Sequence, residues 1–236
     1  MSTPLLQISD LHTWYGESHI LHGVDLTVHE GEVVTLLGRN GAGRTTTLRA
    51  IMGLAGTRKG SIKVRGVETI DMPTHRIARL GLGYCPEERG IFSSLSAYEN
   101  LILPPRLKGT DGGMSIEQIY DMFPNLKERA RSPGTRLSGG EQQMLAMARI
   151  LRTGARLLLL DQISEGLAPV IVQKLATMIQ ALKQQGFTIV LVEQNFRFAA
   201  PLADRFYVME HGQIVQQFAQ AELPAKMGLL HEFLGV

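Results

Sequence analysis

The chain has 236 residues, 44% of them hydrophobic and 19% charged, which suits one large globular core. Its formal net charge is +2, and the basic residues are scattered, so no electrostatic footprint for nucleic acid is expected. The single cysteine, Cys85, excludes an internal disulfide and points to a packed thiol in a reducing compartment. The start of the chain lacks a basic segment followed by a long apolar run, so no signal peptide is expected. Apolar runs such as 157–160 and 188–192 are of strand length, far short of the roughly 20 residues of a spanning helix. Any membrane role must therefore run through partners.

In chain order, residues 5–8 and 23–28 alternate apolar and polar side chains, which predicts edge or antiparallel strands. Residues 32–37 form a continuous apolar strand that runs into a glycine-rich loop, and 45–52 follow with helical periodicity on Leu48, Ile51 and Met52. Short strands are expected at 61–64 and 82–85. From about Pro86 to Thr153 long helical patterns replace strands, broken by Pro104-Pro105, Gly112-Gly113 and Pro124. Buried-strand texture returns at 157–160 and 188–192, with a helix around 170–185 between them. A hairpin about His211-Gly212 joins 205–209 to 213–217, and a helical tail over 219–236 carries Leu229, Leu230, Phe233 and Leu234. The expected organisation is one domain, an α/β core over 5–85 and 154–218, a helical insertion over 86–153, and the tail.

Three motifs carry chemistry. Gly38-Arg39-Asn40-Gly41-Ala42-Gly43-Arg44-Thr45-Thr46 has the phosphate-loop pattern, with arginine where lysine is usual. Its glycines let backbone N–H groups turn toward phosphates, and the next helix offers its positive N-terminus. Arg44 is the candidate for the β- and γ-phosphates and Thr45 for magnesium. Arginine keeps the charge but is bulkier than lysine. The apolar run 157–160 ends in Asp161, a carboxylate at the carboxyl edge of a parallel sheet that can hold magnesium through its water shell. Leu137-Ser138-Gly139-Gly140-Glu141-Gln142-Gln143 has capping-box spacing between Ser138 and Glu141, with two glycines at the helix mouth where an anion can approach.

The order of these motifs resembles the nucleotide-binding domain of ABC transporters over nearly the whole chain. Val24-Asp25-Leu26, Pro86-Glu87, Ile91-Phe92, Ser164-Glu165-Gly166-Leu167-Ala168-Pro169 and Leu191-Val192-Glu193-Gln194-Asn195 further resemble the LivF type, the ATPase subunits of branched-chain amino acid importers. The resemblance implies a RecA-like core with an antiparallel β portion and a helical subdomain carrying Ser138, Gly139, Gly140 and Glu141. It implies ATP and Mg2+ as cofactors, with Tyr15 stacking on adenine. It also implies transmembrane permease subunits, a second ABC ATPase subunit and, indirectly, a solute-binding protein as partners. The expected location is the cytoplasmic face of the inner membrane, bound peripherally. Glu87 stands where most of the family has a glutamine touching magnesium and the permease, and Gln194 stands at the switch-histidine position. Gln162 departs most, since the family places its general-base glutamate directly after the strand aspartate. An amide orients water but cannot take its proton, and loss of such a base costs about 10²–10⁴ in rate. Two readings of Gln162 stay open: a slow site paired with an active partner, or a substitution that holds ATP unhydrolysed. A non-transport ABC protein and a regulatory module that never hydrolyses are the rival functions.

Overall fold

The computed structural model describes residues 4–108 and 112–234. Two strands open the chain, β1 (Leu6–Tyr15) and β2 (Ser18–Val28), joined by a tight hairpin. They are longer than their alternation suggests, because irregularities in their register interrupt the pattern between Ile8 and Leu11 and again at Trp14. β3 (Val33–Leu37) leads to α1 (Arg44–Ile51), and β4 (Thr57–Val64) and β5 (Val67–Glu68) return to the first two strands. α2 (Thr74–Ala78) and β6 (Leu82–Cys85) follow.

The stretch between β6 and β7 (Leu157–Asp161) holds α3 (Ala97–Ile102), α4 (Ile116–Met122), α5 (Pro124–Glu128) and α6 (Gly139–Thr153). The helical patterns of the sequence suggest long helices here, yet α3 to α5 have five to seven residues each. Pro124 starts α5 at its first turn and so ends α4 beside it. α7 (Pro169–Gln184), β8 (Thr188–Val192), α8 (Phe196–Ala199), β9 (Arg205–Glu210), β10 (Gln213–Ala219) and α9 (Leu223–Leu234) complete the chain. On α9 the core side is formed by Leu223, Met227, Leu230, Phe233 and Leu234. Leu229, expected on that face, is only half-buried and lies outside the cluster.

Two sheets result. One is antiparallel in the order β2-β1-β4-β5; the other runs β10-β9-β3-β8-β7-β6, parallel throughout except for β10. The parallel strands read as unbroken apolar runs because both faces are covered. Leu158 and Leu160, with Ile189 and Leu191, join the core under α6 and α7. Leu157 and Leu159, with Val190 and Val192, join the core beneath the antiparallel sheet and α1. The thiol of Cys85 is fully buried, and that burial pushes its pKa up to about 12, so it is an inert packing group.

The two sheets are clamped at their base. Arg205, held by both carboxylate oxygens of Glu32 (2.8 and 2.9 Å), donates across to the Thr27 carbonyl (2.6 Å), and the Tyr207 hydroxyl meets the backbone N–H and carbonyl of Thr27, each at 3.1 Å. The β9–β10 turn adds a second clamp. Gly212 donates to the carbonyl of Ala42 (2.9 Å) and accepts from the N–H of His22 (2.9 Å), tying the loop after β3 to β2.

Gly212 has φ +76, and a Cβ built there would stand 2.0 Å from the carbonyl oxygen of Ile20. Gly212→Ala should therefore destabilise the chain by at least about 2 kcal/mol. That corresponds to a fall of roughly 4–8 °C in Tm for a chain of this size. Equal melting curves in calorimetry would contradict this account of the turn.

Candidate nucleotide site

β3 and β7 are separated by β8, and the three strands end at one edge of the parallel sheet. The loop 38–43 leaves β3 there. Gly38 permits the turn because a Cβ would meet the Met209 carbonyl at 2.5 Å. Gly43, at φ +106, delivers the chain into α1, where Leu21, Met209 and Gly212 leave no space for a side chain.

Arg44 begins α1 and is 4% exposed. One Nη donates to Asn40 Oδ1 at 3.2 Å, and the other is buried with no partner. Burial lowers the Arg44 pKa, opposed by the charges of Glu193, Asp161, Glu165 and Glu87. An unspent, buried guanidinium N–H among four carboxylates is a cation held ready for an anion.

Thr45 Oγ1 donates to Asp161 Oδ1 at 3.0 Å, so the first turn of α1 and the end of β7 converge. Tyr84 donates to the other Asp161 oxygen at 3.2 Å. Burial pushes the Asp161 pKa up to about 6, against the two hydrogen bonds that favour the carboxylate. Gln162 follows in a left-handed conformation, φ +49, a conformation that costs a non-glycine residue of order 1 kcal/mol. Its backbone N–H donates to Val192 at 2.9 Å, its Nε2 donates to Glu87 Oε2 at 2.8 Å, and its Oε1 is buried without a partner.

The structure thus brings together Asn40, Arg44, Thr45, Asp161, Gln162 and Glu87. Gly41, Ala42, Gly43 and Thr46 belong to the same loop and first helical turn. Gln194 is exposed just past the end of β8. Tyr15 sits at the tip of the β1–β2 hairpin, 38% exposed, with no hydrogen bond or ring contact to the loop among the described residues. Ser138 caps α6 as its spacing predicts: its Oγ accepts from the Glu141 N–H at 3.3 Å, and Glu141 Oε2 accepts from the Ser138 N–H at 2.7 Å. No hydrogen bond joins Ser138, Gly139, Gly140 or Glu141 to the phosphate loop among the described residues.

Two contributors lie outside the motifs. Tyr84 is one residue before Cys85 in β6, and no spacing rule ties it to Asp161. Glu193 is 2% exposed and accepts from the Ser164 N–H (3.0 Å) and Oγ–H (2.8 Å), pinning the turn after Gln162 to the end of β8. Burial raises its pKa to about 7. Its sequence signals were its place directly after the strand β8 and its membership of the 191–195 run that resembles the LivF type, neither of which assigns it this contact.

Comparison with known proteins agrees with this geometry. The family described as ABC transporter matches residues 21–164. The chain is 40% identical to the high-affinity branched-chain amino acid transport ATP-binding protein BraG of Pseudomonas aeruginosa, over 98% of this chain and 100% of that protein. It is 33% identical to the probable branched-chain amino acid transport ATP-binding protein LivF of Archaeoglobus fulgidus, covering 89% and 90%. It is also 30% identical to the lipopolysaccharide export system ATP-binding protein LptB of Escherichia coli K12, covering 98% and 97%. Among solved structures, a nucleotide-free ATP-binding cassette of an ABC transporter superposes with a TM-score of 0.82 at 21% identity, over 96% of each chain. A cassette dimer bound to ADP and phosphate superposes with a TM-score of 0.79 at 24% identity, covering 91% of this chain and 98% of that one. The chain belongs to the ABC transporter family and is an ATP-binding subunit of the ABC ATPase class. No helix among the described residues is long and apolar enough to cross a membrane.

Without nucleotide, the buried Asp161 carboxylate weakens the fold at neutral pH. Its pKa is about 6 folded against an ordinary 3.8. The folded form therefore holds the proton more tightly, and this stabilisation is complete below pH 4 and lost as pH rises through 6. Asp161→Asn should escape that loss. In urea titrations of the nucleotide-free chain, the variant should gain on the unaltered protein by about 1–2 kcal/mol between pH 4 and pH 7. A gap that does not change with pH would refute the assignment.

Proposed function

We propose that the chain is the energy-coupling subunit of an ABC importer for branched-chain or related amino acids, and that its site binds Mg-ATP. The observation that carries the site reading is the convergence of Arg44, Thr45 and Asp161 at one sheet edge, with a buried, unpartnered Arg44 N–H that suits an anion. The 40% identity to BraG over the full length of both chains supports the amino-acid reading.

In this reading the N–H groups of Gly38, Asn40, Gly41, Ala42, Gly43 and Thr46 surround the phosphates, and Arg44 meets the β- and γ-groups. Tyr15 stacks on adenine. The residues present fit magnesium: a hydroxyl and a carboxylate already in contact at 3.0 Å, with the Glu87 carboxylate beyond Gln162. Among the described residues no group of three or more His, Cys, Asp or Glu is placed to hold a metal ion by itself. That suits magnesium, which keeps phosphate and water ligands rather than a full protein cage. When bound, the ion would neutralise phosphate charge. Thr45, Asp161 and Glu87 would hold it.

Ser138, Gly139, Gly140 and Glu141 serve the nucleotide of an opposing ABC subunit, so two such domains close on ATP. The surface after Glu87, with Phe92, Tyr98, Ile102 and Leu103 each 44–51% exposed, faces permease subunits at the cytoplasmic side of the membrane. A solute-binding protein would act through those permeases. The likeness to LptB favours a second reading, in which the same cassette drives an exporter-type assembly.

Gln162 sets the rate. Its amide is bonded to Glu87 and can orient water in line with the γ-phosphate, but it cannot accept a proton. Gln162→Glu should raise phosphate release by the assembled complex by about 10²-fold or more. Equal rates would mean that Gln162 is not the catalytic position, or that Glu87, Gln194 or the partner's site limits turnover.

Arg44→Ala should weaken Mg-ATP binding at least about tenfold, or ~1.4 kcal/mol. Equal affinities by calorimetry would sink the placement of the phosphates.

A further inference from the structure

We propose that Arg89 is a positioning residue that fastens Glu87, the partner of Gln162, to the helix that begins at Ser138, so that the two surfaces of the site move together. This rests on the reading that Ser138 faces the nucleotide of an opposing subunit.

The segment from Pro86 to Phe92 starts beside the reaction centre, where Glu87 accepts from Gln162 at 2.8 Å. It turns at once: Arg89 N–H bonds to Pro86 (3.0 Å) and Gly90 N–H to Glu88 (2.8 Å). Arg89 is held at φ +66, a left-handed conformation that glycine would adopt without strain. The strained residue is therefore one whose side chain does something a glycine could not.

That side chain reaches α6. Arg89 Nη1 donates to Gln142 Oε1 at 2.9 Å. The Gln142 amide nitrogen is already committed, donating to Gly134 (3.1 Å) and to Leu137 (3.2 Å), the carbonyl just before Ser138. Gln142 thus offers Arg89 its oxygen in a fixed orientation. The guanidinium also lies over Gly139, where a Cβ would stand 3.2 Å from Nη2 and 3.4 Å from Nη1. The second glycine after Ser138, Gly140, packs on Ile171, so the two glycines have different neighbours.

A second strap lies two turns along the same face. Arg149 donates to the Gly90 carbonyl, and its guanidinium is 5.0 Å from the centre of the Phe92 ring. Residues 86–92 are thereby strapped along α6 at Gln142 and at Arg149. A shift of Glu87, whichever ligand causes it, reaches Ser138 through Arg89 and Gln142 and not through a slack loop.

The test uses Arg89→Gly, which keeps the backbone conformation and removes only the strap. Its melting temperature should hold or rise, since the left-handed residue is relieved. ATP affinity of the isolated chain, by calorimetry, should stay within about twofold, while ATP-driven association with the opposing ABC subunit weakens about tenfold or more. Gln142→Ala should lose at least as much, and adding Arg89→Gly to it should cost little more, because the two act as one link. Arg89→Lys, with a donor but no fork, should recover part of the association. Association of Arg89→Gly equal to that of the unaltered chain overturns the proposal, as do losses that simply multiply in the double variant. If the unaltered chain itself fails to associate under ATP and Ser138→Arg behaves identically, the reading of Ser138 fails and the positioning role falls with it.

Discussion

The structure depends on burial of the parallel sheet on both faces. β3, β7 and β8 are buried at every position, one core closing on each side. Water reaches these strands only at their ends. A carboxylate placed there is still shielded from water, and that burial pushes the pKa of Asp161 and of Glu193 above the ordinary carboxylate range. The same burial leaves Arg44 with an N–H and no partner. The site is a set of polar groups whose desolvation the surrounding cores enforce, and a charged ligand is what balances them.

Much of this was legible in the sequence because its signals are local. Continuous apolar runs ending in Gly38 and Asp161 describe two-face burial and a carboxyl edge, and Ser138 with Glu141 describes a capped helix. Those features depend on neighbours within a few residues. Tyr84 on Asp161, Glu193 on Ser164 and Arg89 on Gln142 do not, since the partners are separated by 77, 29 and 53 residues. No periodicity encodes such pairs; they follow from strand order and loop closure. The short helices α3 to α5 escaped for a different reason: apolar residues at helical spacing persist across Pro124 and the loops, although the backbone breaks there. The length of β1 escaped because its irregular register disrupts strict alternation.

The arginine in the phosphate loop also takes its meaning from the fold. A lysine is a point charge on a flexible stem, whereas the Arg44 fork is steered by Asn40, which holds one arm and leaves the other free. Burial lowers the Arg44 pKa, and the charges of Glu193, Asp161, Glu165 and Glu87 oppose that lowering. The substitution therefore retains a directed cation, with geometry supplied by the loop itself.

Gln162 joins the strands to the rest of the machinery. Its N–H is fixed to β8 through Val192 and its side chain to Glu87, so one residue spans two separate parts of the chain. The left-handed backbone is what allows both contacts, because it turns the side chain away from the buried run of β7 and toward the segment after β6. A glutamate at this position would face the Glu87 carboxylate instead of donating to it, and two adjacent carboxylates would repel in a site already short of water. The amide thus does more than lack a proton-accepting oxygen. It ties down Glu87, and with it the start of the segment that leads to Arg89.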